Sequence, residues 1–297
     1  MGLHWSAHEI VGALMIDLIV DCDTVLYRAV SSCEHKIDWG GFYTIYSDHK
    51  ECQQRFVAIF EEIMSNLKKH KKLTTYSVTM CISDKKNFRK LLLPTYKANR
   101  NPKDEQLEAI ETDSISYVSY SNPLAKLRKP SGYARLLQWV RENYHVVCYP
   151  YLEADDTCSL LSSPTSILVS IDKDFCTIPN TWFYNYYRDE LMFNDEKSAD
   201  YFWLTQCLKG DPVDGYYAIK NVGEKKAHKL LDANGVTWDT VKNAYVDKGY
   251  TEEDALVQAR VARILRKGEY ENGVINLWSP REELKKSIDT KANPVVS

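Results

Sequence analysis

Two kinds of apolar run alternate along this chain. Short stretches rich in β-branched and aromatic residues, Met15–Asp21, Tyr76–Ser83, His145–Tyr149, Ser166–Asp172 and Thr181–Tyr187, have the length and composition of strands. Between the first two, Phe56, Ile59, Phe60, Ile63 and Leu67 recur at i, i+3, i+4 and i+7, and Tyr133, Leu136, Leu137 and Val140 repeat that spacing. Both segments predict helices covering a sheet face, and the alternation predicts an α/β fold with a mostly parallel sheet. From Tyr201 onward the strand signals fade, and helical patterns follow at Phe202–Lys209, Glu224–Leu231, Thr237–Asp247 and Glu252–Lys267. The chain therefore divides near Lys197 into an α/β domain (15–196) and a helical region (197–280). Residues 1–14 are left as an N-terminal extension and 281–297 as an aperiodic, mobile tail. The stretch Asn101–Pro130 is polar, weakly periodic and long for a connection in a compact domain; such segments usually serve function or stay disordered.

Composition removes several classes. At 297 residues and 44% hydrophobic content the chain can bury a sizeable core, which excludes disorder over most of its length. The longest apolar stretch, Ile10–Val20, is broken by Asp17 and falls short of the roughly 20 residues that span a bilayer. No membrane partner is expected, and the opening MGLHWSAHEI lacks the basic start of a secretory signal. Eight cysteines without CxxC spacing suit free thiols in a reducing cytoplasm and give no closely spaced zinc ligands. With 41 acidic against 38 basic residues, the net charge of −3 argues against a generic polyanion binder.

The positions of the acids change that picture. Asp21 closes LIVD, Asp84 closes MCISD, and Asp172 and Asp174 close LVSIDKD; LEADD places Glu153, Asp155 and Asp156 at a helix start, and KGDPVDG adds Asp211 and Asp214. In an open α/β sheet the carboxyl ends of strands line one crevice, so several of these groups should converge there. Singly, each suits a helix cap or turn; together they repel and take up protons unless cations hold them ionised. Hard divalent ions, Mg²⁺ or Mn²⁺, are the natural occupants of an all-oxygen set. Two of them about 4 Å apart would suit phosphodiester hydrolysis.

Two basic groups accompany the acids. In DKKNFR and YKANR, Arg89, Lys97 and Arg100 are placed to clamp a phosphate, and Tyr96 to stack on a terminal base. In Ile219–Lys229 a turn with Asn221 and Gly223 leads into a helix carrying Lys225, Lys226 and Lys229 behind Lys220. A glycine free to adopt positive φ, backbone N–H groups and lysines read there as a sequence-independent grip on DNA. P-loop, GxSxG and HExxH motifs are missing from the sequence.

Taken together, YKANR, KPSGY, LEADD, SIDKDFCTIPN, KSAD, KGDPVDGY, TEEDALVQARVARILR and INLWSP resemble the structure-specific 5′ nuclease superfamily, most closely its T7-type phage 5′→3′ exonucleases, from about Leu18 to Pro280. The resemblance implies a PIN-like nuclease domain followed by a helix–three-turn–helix DNA clamp. It also implies metal-dependent degradation of duplex DNA from a free or recessed 5′ end, removal of RNA primers from RNA–DNA hybrids, and service alongside phage replication proteins. It implies a first metal surrounded by Asp21, Asp84, Glu153 and Asp155. A second would lie among Asp172, Asp174 and Asp214, with Asp156 and Asp211 acting through water. Asp174 becomes the acid whose loss should abolish cleavage, and Lys97 and Arg100 the basic pair polarising the scissile phosphate. In this family the turn, here 219–223, often binds K⁺ through carbonyls. The chain departs from the family in two respects. Asn221 stands where the family's Gly-x-Gly turn begins, and the 97–130 segment carries an acidic, Ser/Tyr-rich insert, Asp104–Tyr120, expected to form or cap an arch over the site.

The nearest alternative within the family is a flap endonuclease. From another class, DCDTVL fits the nucleophile loop of haloacid-dehalogenase-type phosphatases, with Asp21 attacking phosphorus and Asp23 as acid and base. That reading leaves the remaining motifs unused. A DNA-binding module using the turn alone would have no need of the clustered acids.

Overall fold

The computed structural model describes residues 15–40, 42–73, 75–100, 115–119, 129–281 and 286–289. In chain order the elements are β1 (Ile16–Asp21), α1 (Cys22–Ser32), β2 (Glu34–Asp38), β3 (Phe42–Ser47), α2 (His49–His70), β4 (Tyr76–Cys81), α3 (Arg89–Leu92), β5 (Ile115–Ser119), α4 (Tyr133–Asn143), β6 (Val146–Val147), α5 (Ala154–Leu161), β7 (Ile167–Ser170), β8 (Thr181–Asn185) and β9 (Glu190–Asn194). There follow α6 (Glu196–Lys209), α7 (Glu224–Asn234), α8 (Trp238–Val246), α9 (Glu252–Ala262), β10 (Tyr270–Glu271), β11 (Val274–Leu277) and β12 (Lys286–Asp289). All five strands read from the sequence exist, in a six-stranded sheet of order β6-β4-β1-β7-β8-β9 that is parallel except for β9.

The two-residue period of the strands divides the core. Leu18, Val20, Met80, Ile167, Val169 and Tyr184 face one side, where α1, α2 and α4 supply Val25, Phe56, Ile59 and Leu136. The intervening Ile19, Cys81, Leu168 and Phe183 face the other, against Ala154 and Cys158 of α5 and Phe175. Asp48 caps α2 by accepting from the Glu51 N–H, and Asp195 caps α6 by accepting from Ser198 N–H, so the boundary expected near Lys197 falls in the first turn of a helix.

Four features differ from the sequence reading. The hairpin β2–β3 and strand β5 form a separate antiparallel sheet; β5 is the described part of the insert expected to cap the site, and most of that segment lies outside the described residues. The helix expected to reach Lys267 stops at Ala262. Arg263 is extended there because Arg89 draws the Val261 and Arg263 carbonyls and Asp156 draws the Leu265 N–H. The expected mobile tail contains β12, paired with β11, so the C-terminal region is not wholly helical; 1–14 and 290–297 lie outside the described residues. Each region has a main core of its own, but two smaller clusters join them: Ile264 packs with Ile19, Leu168 and Phe175, and Leu265, Ile275 and Leu277 pack with Phe88, Tyr151 and Leu152. Among the described residues no helix is long and apolar enough to cross a membrane.

Candidate metal centre and nucleic-acid interface

Strand order gathers the acids. Because β4, β1 and β7 are parallel neighbours, their carboxyl ends place Asp84, Asp21 and Asp172 along one edge. Asp21 also begins α1, 5% exposed, with Oδ2 accepting from Ser170 Oγ at 2.7 Å. Asp172 caps a short 3₁₀ turn, 173–177, through the Asp174 N–H at 2.9 Å. Glu153 and Asp156 form a capping box at the start of α5, and one oxygen each of Glu153, Asp155 and Asp156 lie within 4.8 Å of one another. Asp211 and Asp214 flank a 3₁₀ turn after α6; Asp211 meets Lys173 at 3.3 Å, and Asp214 meets Lys97 at 3.7 Å.

The acids are short of positive charge. Burial, then Asp23, then Asp172 raise Asp21 to about 7 against the pull of Ser170. Burial and Asp172 likewise carry Asp174 to about 7, with Asp214 and Asp211 adding and Lys173 opposing. Burial, Asp156 and Glu153 push Asp155 well above the ordinary range. Glu153 goes the other way: burial would raise it, but Lys97 and Arg89 outweigh that and hold it near 2. The donors are hard carboxylate oxygens, while the neighbouring Cys22 and Cys158 side chains are fully buried and packed into the apolar core clusters. Uncompensated negative charge with oxygen donors fits Mg²⁺ or Mn²⁺, not a thiolate zinc site.

Lys97 lies inside the acid cluster, donating to Glu153 Oε1 at 2.5 Å. Its backbone is left-handed (φ 52°) and its N–H donates to the Asp214 carbonyl at 2.7 Å, which fastens YKANR onto KGDPVDG. Gly215 makes that approach possible, since a Cβ there would sit 2.3 Å from the Thr95 carbonyl oxygen. The Arg100 side chain lies outside the described residues, its backbone closing a 3₁₀ turn, 98–100.

Two expected roles do not survive. Arg89 is 2% exposed and cannot grip DNA: it pairs bidentately with Asp156 at 2.6 and 2.7 Å and reaches Glu153 at 3.2 Å. Tyr96, 4% exposed, offers no stacking face, and its hydroxyl donates to Glu153 at 2.8 Å. Asp156 is fully buried, and its oxygens accept from Arg89 and from the Leu265 and Glu153 N–H groups, so it braces the cluster while standing beside Glu153 and Asp155. Both Asp84 oxygens accept backbone N–H groups, from Lys85 and Tyr151. Sequence reasoning missed two neighbours. Asp23, visible in DCDTVL but read only as a phosphatase residue, accepts from the Ser83 N–H and Tyr133 hydroxyl and presses on Asp21. Gln206 donates to Asp174, a contact that no local motif announces.

The basic turn is present. Lys220, Lys225, Lys226 and Lys229 are exposed, and an open concavity of about 850 Å³ beside them is lined by Lys209, Tyr217, Lys220, Asn221 and Lys226. The left-handed residue is Asn221 (φ 63°), not Gly223, which is extended and simply precedes α7. Lys226 Nζ donates to the Asn221 carbonyl at 2.8 Å.

No protein-family model matches the chain. It is 28% identical over 308 residues to the exodeoxyribonuclease of Enterobacteria phage T3, and 28% identical over 307 residues to the exonuclease of Escherichia phage T7; each match covers 89% of this chain and 93% of the relative. Its fold is similar to that of the T5 5′-exonuclease with zinc bound (TM-score 0.54, 14% identity). It is equally similar to a T5 flap endonuclease variant in a pseudo-enzyme–product complex with DNA and metal ions (TM-score 0.54, 16% identity). Both matches cover 83% of this chain and 88% of the other.

Proposed function

We propose that this nuclease, a homologue of the T3 and T7 exonucleases, hydrolyses duplex DNA from its 5′ end with two Mg²⁺ or Mn²⁺ ions. The observation that carries the reading is the set of under-compensated carboxylates along the β4-β1-β7 edge with Lys97 among them. Asp21, Glu153 and Asp155 would hold one ion and Asp172, Asp174 and Asp214 the other, with Asp84 and Asp211 at the margin. Bound there, the ions would supply an activated water and charge stabilisation for the leaving oxygen. The protein's own part is to position and to exclude. Lys97, kept protonated by Glu153, Asp214 and Asp155 against the cost of burial, offers a fixed positive charge to the scissile phosphate, assisted by Arg100. The lysines of 220–229 hold the duplex backbone away from the cut, which fixes the distance between clamp and nucleophile.

On the same reading the enzyme trims RNA primers from RNA–DNA hybrids during phage replication in the host cytoplasm. A K⁺ at 219–223 would compete with Lys226 for the Asn221 carbonyl. The phosphatase reading of Asp21 leaves Lys97 and the second group of acids, Asp172, Asp174 and Asp214, without a role. The test is an end-labelled duplex incubated with Mg²⁺: labelled mononucleotides released from the 5′ terminus support the reading. Intact DNA alongside turnover of a small phosphomonoester refutes it. Release of short oligonucleotides from a 5′ flap would identify the flap endonuclease instead.

A further inference from the structure

We propose that Gln206 is a positioning residue: it ties the first helix of the C-terminal region to Asp174, so that the surface beside the basic turn and the metal-binding acids move as one body. The proposal rests on the nuclease reading above. Gln206 sits in the last turn of α6, 1% exposed, and its Nε2 donates to Asp174 Oδ1 at 2.8 Å. Three residues on, Lys209 lines the concavity beside the basic turn, so a single turn of helix carries both groups. The helix packs along the 173–177 turn that bears Asp174, and the Asp174 N–H is itself held by Asp172 Oδ1. Asp174 is thus fixed from two sides, by its own turn and by α6.

Two features argue against a purely structural role. Among the described residues the Gln206 Oε1 is buried without a partner. An amide half-satisfied in the interior costs stability, whereas Met or Leu would fill similar space at that helical position, next to Leu204, Cys207 and Leu208, without the cost. The amide is also the suitable donor for a carboxylate that must keep its charge for a cation: it orients one oxygen without neutralising the group, as Lys or Arg would.

The test uses the full chain, wild type, Gln206→Met and Gln206→Asn; the shorter amide of Asn keeps the chemistry but falls short of Asp174. Mn²⁺ affinity is measured by calorimetry without DNA, affinity for a 5′-recessed duplex in EDTA, single-turnover cleavage across a Mn²⁺ series, and Tm. In both variants Mn²⁺ affinity should fall about 10- to 100-fold. Cleavage should fall in step at low Mn²⁺ and recover as Mn²⁺ rises, while DNA affinity stays within about twofold and the Tm of the Met variant is no lower than wild type. Unchanged Mn²⁺ affinity in both variants overturns the proposal alone. Parallel loss of Tm and DNA affinity also overturns it, since Gln206 would then be ordinary packing. A wild-type protein that binds no Mn²⁺ overturns the reading of the site as well.

Discussion

Without divalent metal, the acid cluster should make this protein less stable as pH rises from 5 to 8. Asp21 is ordinary near 3.8 when unfolded and near 7 when folded, so across that window the native state holds a proton that the unfolded chain has released. Stability therefore falls with increasing pH, because the unfolded state binds fewer protons than the native one. Integrating between pH 5 and 8 for a shift from 3.8 to about 7 gives a loss of about 3 kcal/mol for this single, 5% exposed group. That corresponds to a drop of about 5 °C in Tm for a chain of 297 residues, whose unfolding entropy is about 0.6 kcal/mol/K. Asp174 shifts in the same direction and adds to the loss. Glu153, held near 2, contributes stability present above about 4.5 and lost only as the solution is acidified below it, so it leaves this window untouched. A divalent ion binds the ionised acids, so Mg²⁺ should raise Tm substantially at pH 8 and little at pH 5. The assay is thermal unfolding by circular dichroism at both pH values, in EDTA and in Mg²⁺, for wild type and Asp21→Asn. The variant should lose most of the pH slope contributed by that position and be the more stable protein in EDTA at pH 8. A wild-type Tm in EDTA that is flat or rises from pH 5 to 8, or an Mg²⁺ shift of equal size at both, would refute the reasoning.

Four further outcomes follow from the same contacts. Lys97→Met should cut the single-turnover rate about 10²- to 10³-fold while duplex affinity in EDTA changes little, since its charge acts on one phosphate within the cluster; an equal loss in affinity and rate would place Lys97 in general DNA binding instead. Lys225→Ala/Lys226→Ala should weaken duplex binding and reduce the slope of log K against log salt by about two, as each lysine gives up one phosphate contact. Arg89→Met should destabilise by about 3–5 kcal/mol because Asp156 is left buried and unpaired, and urea denaturation should show most of this restored by adding Asp156→Leu. Gly215→Ala should lower both Tm and activity, since its Cβ would meet the Thr95 carbonyl and crowd the Lys97 N–H that donates to the Asp214 carbonyl.

The α/β fold was legible because its central strands read as nearly continuous apolar runs that are buried toward their carboxyl ends: Ile167–Ser170 is buried throughout, and so are Leu18–Asp21 of β1. The elements that escaped notice lack that signature. Glu34–Asp38 exposes four of its five residues, and Glu190–Asn194 is an antiparallel edge, so each is specified by its partner strand more than by its own side chains. The end of α9 was misplaced for a similar reason. The periodic run continues to Lys267, but Arg89 and Asp156, distant in sequence, offer the backbone hydrogen bonds that compete with the helix.

The site divides along the same line. Convergence of acids could be inferred from where they fall at strand ends, because the topology of a parallel sheet determines where those ends meet. Which side chains face the substrate could not, because one residue type serves both as ligand and as brace. Asp155 and Asp156 are adjacent in LEADD. A capping box and a buried guanidinium commit Asp156 to Arg89, while Asp155 stays beside Glu153 with a proton affinity that a cation would relieve. In YKANR and NFR, Lys97 enters the cluster while Arg89 and Tyr96, chosen by the same rule of basic and aromatic interleaving, turn inward to hold Glu153. The buried Arg89–Asp156 pair carries no chemistry of its own. It explains why the acids at the start of α5 can be packed so tightly, since one guanidinium satisfies Asp156, touches Glu153 and anchors the C-terminal segment through Val261 and Arg263. Net charge concealed all of this. A chain at −3 can still bind a polyanion when its surplus acids are internal to a metal site and its lysines are gathered on one exposed turn.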